Sequence, residues 1–105
     1  MSDVRIALIT APDHAAAASL GRALVEERLA ACANLVPQIT SIYRWEGAVQ
    51  EDSEVLLIVK TSAAQAAALT ERVLALHPYA VPEVLVLPVE SGAGAYLDWM
   101  RASVE

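Results

Sequence analysis

At 105 residues and 56% apolar side chains, with no break in composition, the chain has the size of a single domain spanning 1–105, whose folding removes roughly two-thirds of its surface from water. No apolar run approaches the about 18 residues that cross a bilayer, which excludes a membrane partner. The net charge of -6, with seven basic residues scattered rather than gathered into a stripe, offers a phosphate backbone no grip and excludes nucleic acid.

The first alternation sets Val4, Ile6 and Leu8 against Arg5, Ala7 and Ile9 and predicts a strand over 4–10 that becomes apolar on both faces. Thr10-Ala11-Pro12-Asp13 reads as a helix start, because proline is tolerated in a first turn and an acid suits the positive end of the dipole. The helix is expected to run to about residue 31, with Ala17, Leu20, Leu24 and Ala31 on one face and Asn34 as terminator. His14, in its first turn, is assigned to solvent.

A second strand over 35–45 carries Pro37, which cannot donate to a ladder and so marks a bulge or an unpaired edge. Glu46-Gly47 turns the chain into a third strand ending at Lys60. The polar run Gln50-Glu51-Asp52-Ser53-Glu54 at its start predicts a bulge or bend, with its acids in solvent. Ser62-Ala63-Ala64-Gln65 offers a capping box for a second helix, with Ala66, Leu69, Val73 and Leu76 at helical spacing and His77-Pro78 as the stop. Residues 84–87 form a fourth strand, apolar on both faces. After Ser91-Gly92-Ala93-Gly94, a short terminal helix places Tyr96, Trp99 and Met100 on one face.

The order β-α-β-β-α-β plus a helix is the α+β, ferredoxin-like arrangement, an antiparallel four-stranded sheet with two helices on one face. A strand apolar on both sides implies that the other face is covered too. The simplest cover is another copy of the chain, and the high apolar fraction agrees. Such sheets serve many functions, so residues must decide. The first loop, Thr10-Ala11-Pro12-Asp13-His14, has no thiol, which excludes a metallochaperone. The middle strands, 4–10 and 55–60, lack the stacking aromatics that RNA readers need. No Ser-His-Asp spacing, glycine-rich phosphate loop or close carboxylate pair is visible, so no catalytic residue is assigned and the chain reads as non-enzymatic. Cys32 stands alone, which excludes an intrachain disulfide, and the start MSDVRIALIT lacks the basic and apolar stretches of a signal peptide. The expectation is a cytoplasmic protein.

The blocks ALVEERLAACANLVP, SIYRWEG, LLIVKT, HPYAVPEV and YLDWM together resemble the CutA family, the divalent-cation tolerance proteins, over nearly the whole chain. The resemblance implies a ferredoxin-like homotrimer whose long hairpin reaches a neighbour's sheet through Tyr43, Arg44 and Trp45. It also implies copper tolerance and binding of a divalent metal ion, with Cu(II) the candidate. Copper-binding relatives place a Cys and a second His where this chain has Ile9 and Leu76, so the resemblance leaves His77 as imidazole ligand, helped by Cys32 or Glu83.

The alternative is a trimeric small-ligand sensor or signalling protein, its pocket for an anion or metabolite lying between subunits and lined by Tyr43, Trp45, Lys60, Tyr79 and Glu83. Each residue also has a plain reading. His77 can simply end a helix, Cys32 can be a small buried hydrophobe, Lys60 a snorkelling stem, Glu83 a strand start, and the aromatic rings interface anchors.

Overall fold

The computed structural model describes residues 3–105. Strand β1 (Val4–Ala11) leads to helix α1 (His14–Glu26), then β2 (Cys32–Trp45), β3 (Ala48–Ser62), α2 (Ala66–Leu76), β4 (Val84–Pro88) and α3 (Gly94–Ser103). The sheet is antiparallel in the order β2-β3-β1-β4, which is the ferredoxin-like topology, and the strands expected in the middle are the middle ones.

One sheet face meets the helices. Ala7, Ile9 and Ala11 of β1 oppose Val59, Leu57 and Val55 of β3, and these pack with Ala17, Leu20 and Leu24 of α1 and Leu69 and Val73 of α2. Asp13 caps α1 by accepting from the Ala16 amide at 2.8 Å, leaving His14 exposed, as expected. Gly21 lets α1 sit close on the sheet, since a Cβ there would lie 3.2 Å from Ala33 Cβ.

The helix stops at Glu26, five residues short of the sequence expectation, and Asn34 lies inside β2. The reason is a Schellman closure formed without glycine. Arg28 takes φ 60, its amide donates to Val25 O, and the Leu29 amide donates back to Leu24 O. The capping box expected at Ser62 does not cap α2, which begins only at Ala66 with Gln65 as its N-cap and no side-chain cap; residues 63–65 form a turn instead. Ser62 Oγ accepts from the Gln65 amide, but the Gln65 side chain donates to Val104 O instead of reaching back.

The bulge falls in β2, where register shifts between Val36 and Ile39, with Pro37 and a positive-φ Gln38 between them. Residues 50–54 are regular strand, paired one for one with 39–43, which corrects the bend expected there. Glu46 and Gly47, at φ 49 and 78, close the hairpin as a primed turn. Because β1 ends opposite Val55, the first seven residues of β3, 48–54, pair with β2 alone and project about 23 Å beyond the sheet.

The opposite sheet face carries Ile6, Leu8, Leu56, Ile58, Leu85 and Leu87 by register. At one end Met100 and Val104 of α3 bury Val4. Elsewhere the face is apolar and open, with Leu85 at 56% and Leu87 at 44% exposure. The expected common face of α3 divides. Met100 is buried, whereas Tyr96 and Trp99 are exposed and meet each other at 5.3 Å between ring centroids.

Candidate functional site

Where the hairpin leaves the sheet, its aromatic side and the segment after α2 enclose a cleft of about 730 Å³. Thr10 closes β1's end of it, Tyr43, Trp45 and Glu54 come from the hairpin, and Tyr79 and Glu83 from the 78–83 segment. Strand pleating explains the grouping. Residues two apart share a face, so Tyr43 and Trp45 of β2 stand beside Asp52 and Glu54 of β3. The Tyr43 hydroxyl donates to Asp52 Oδ2, and the Tyr79 hydroxyl donates to Glu54 Oε2 at 2.6 Å.

Four residues named from sequence, Tyr43, Trp45, Tyr79 and Glu83, are therefore brought together. Lys60 is not among them. Its ammonium lies beside Asn34 Oδ1 and 3.9 Å from Cys32 Sγ, at the other end of β3. Glu54, expected in solvent, is buried and becomes the floor of the cleft. Its same-face spacing to Asp52, diagonal to Tyr43, was the signal that could have found it. Among the described residues no Lys, Arg or His lines the cleft, so the charge of that lining is negative, opposite to what an anion pocket requires.

Burial first, then the hydrogen bond to Glu54, holds the Tyr79 phenol well above its ordinary value of 10.0. The hydrogen bond to Asp52 raises exposed Tyr43 as well. A folded-state pKa above the unfolded one contributes stability that is present below about pH 10 and lost as pH climbs further, because the unfolded chain releases the proton first. An alkaline titration followed by phenolate absorbance should show a late-ionising tyrosine that Tyr79→Phe removes. A wild-type curve lacking that late phase would contradict the assignment.

The three metal candidates do not converge within one chain. His77 is buried, with Nε2 at 2.7 Å from Thr10 O and Nδ1 accepting from the Tyr79 amide at 3.1 Å. The tautomer these contacts define donates from Nε2, so neither nitrogen keeps an unused lone pair. Thr10 pairs with Leu56 and Cys32 with Lys60, which separates the thiol from the strand position holding the imidazole by about 13 Å along β3. Glu83 stands in the cleft, while His77 faces a smaller hollow against α1. Among the described residues, no group of three His, Cys, Asp or Glu side chains is placed to hold a metal. A single chain does not fit a metal centre.

A four-stranded ferredoxin-like sheet with a projecting hairpin, an open apolar face and an acidic aromatic cleft defines an open-faced α+β class. The model of the CutA1 divalent ion tolerance protein family matches residues 5–103. A Thermus thermophilus protein described as divalent-cation tolerance protein CutA is 56% identical over 96 residues, covering 91% of this chain and 93% of that one. Human protein CutA is 52% identical over 102 residues, which are 97% of this chain and 57% of the human one, so the chain spans just over half of that relative. The crystal structure of CutA from Xylella fastidiosa superposes with a TM-score of 0.97 at 39% identity, covering 99% of this chain and 100% of that chain. The chain belongs to the CutA family of divalent-cation tolerance proteins.

Proposed function

We propose that the chain serves divalent-cation tolerance as a cytoplasmic, non-enzymatic homotrimer that takes up divalent metal weakly. The observation that carries the assembly is the open sheet face, apolar from β3 to β4, next to a hairpin that exposes Ile42 and Val49 on the side away from Tyr43 and Trp45. Apolar side chains so arranged gain by mutual burial, and a second and third copy supply the matching surface. Equilibrium sedimentation should return three times the chain mass at micromolar concentration, and a monomer there would end the reading.

Metal binding is supported by family membership and limited by the geometry of His77. To ligate, the imidazole must give up the Thr10 carbonyl or the Tyr79 amide, a loss of about 0.5–1.5 kcal/mol. Its remaining donors must come from another copy. Calorimetry with Cu(II) should show weak binding that His77→Gln reduces at least tenfold. Glutamine keeps a donor for Thr10, so the variant should fold, and an isotherm matching wild type would remove His77 from the site.

A second reading is favoured by the cleft itself, whose volume and aromatic walls suit a small organic ligand. In this reading the protein is a trimeric sensor, and the cleft opens toward the face that another copy would cover.

A further inference from the structure

Resting on that second reading, the geometry points to a small organic cation, an ammonium group on a compact apolar body, as the ligand of the cleft. Glu54 is the centre of the inference. It is 9% exposed, its Oε2 accepts from Tyr79, and among the described residues no protein donor reaches Oε1. Among the described residues no fully enclosed polar side-chain atom lacks a partner, so Oε1 is open, and Glu54 lines the cleft. A largely buried carboxylate oxygen facing a cavity is completed by a donor, best a charged one.

The rest of the wall agrees. Glu83 adds a second carboxylate, and among the described residues lining the cleft none is basic. Both tyrosine hydroxyls point their protons at carboxylates, Tyr43 at Asp52 and Tyr79 at Glu54. They therefore present acceptor lone pairs to a ligand and keep no donor for an anion. The described ring contacts are His77 with Tyr79 and Tyr96 with Trp99, which leaves the faces of Tyr43 and Trp45 unstacked. Aromatic faces attract cations through their quadrupole and shelter apolar substituents at once. A bare metal ion would use neither the aromatic walls nor a cleft of about 730 Å³, whereas an organic ammonium uses both.

The test compares benzyltrimethylammonium with phenylacetate, an anion of similar shape, and with sodium chloride at equal ionic strength. Each is added to the native assembly with a chelator present, and thermal shift and calorimetry are read. Saturable stabilisation by the ammonium alone is expected. Glu54→Gln, which keeps an acceptor for Tyr79, should weaken it at least tenfold, and Glu83→Gln less, with sedimentation unchanged in both. Binding of phenylacetate but not of the ammonium would overturn the cationic assignment and leave the cleft as a ligand site. Binding of neither would overturn the sensor reading as well. Ammonium binding that Glu54→Gln and Glu83→Gln both leave intact would place the ligand elsewhere and equally overturn the inference.

Discussion

Replacing Leu85 and Leu87 together by aspartate should dissolve the proposed trimer while leaving the protomer folded. Both side chains stand on the open face of β4, opposite Leu8 and Ile6, and both are about half exposed in the single chain. The isolated fold therefore loses little when they change. In a homotrimer closed over that face each leucine contributes roughly 1.5–3 kcal/mol of burial, and a carboxylate in its place must be desolvated without a partner. The association constant should fall at least about a thousandfold, so that sedimentation finds monomer at micromolar concentration while the helical and strand circular dichroism persists. A trimer that survives both aspartates would show that copies meet through some other surface, and the open face would need a different cover.

Leu57→Ala should act in the reverse way, striking the fold itself. Leu57 is fully buried on β3, between Ile9 of β1 and Leu35 of β2. Its Cδ2 also lies beneath α1, 3.7 Å from where a Gly21 Cβ would stand. Paired strands on both sides and a helix above prevent the site from collapsing onto the smaller side chain. The expected loss is therefore in the upper part of the range for such truncations, about 3–5 kcal/mol. Urea unfolding of the change placed in the double-aspartate background measures it without concentration dependence. A loss below about 1.5 kcal/mol would mean that the core relaxes around the gap.

The fold was legible because its signals were periodic. The paired alternations of 4–10 and 84–87, the helical spacing from Ala66 to Leu76 and the turn at Glu46-Gly47 all report a local preference that tertiary packing also favours. The end of α1 was misread because its closure uses Arg28 in a left-handed conformation, where sequence reading expects glycine or asparagine. The site was half legible. Tyr43, Trp45, Tyr79 and Glu83 stand out as large or charged residues near turns, and the cleft unites them. Glu54 was hidden in an acidic run whose composition suggests solvent, and only the position of Tyr79, twenty-five residues on in sequence, turns it into a buried acceptor. Lys60 was expected in the cleft as the sole lysine, an ammonium where β3 meets the start of a helix, yet strand pleat and length carry it toward Cys32.

The projecting hairpin has a consequence for exchange kinetics. Two strands alone are marginal in water, and along 48–54 only the amides facing β2 have a strand partner, the alternate ones pointing where a third strand would lie. Those outward amides should exchange with solvent deuterium quickly in a monomer and slowly once a neighbour's backbone lies alongside. Their protection thus becomes a clock for association, readable residue by residue, while the amides of β1 report only the opening of the protomer.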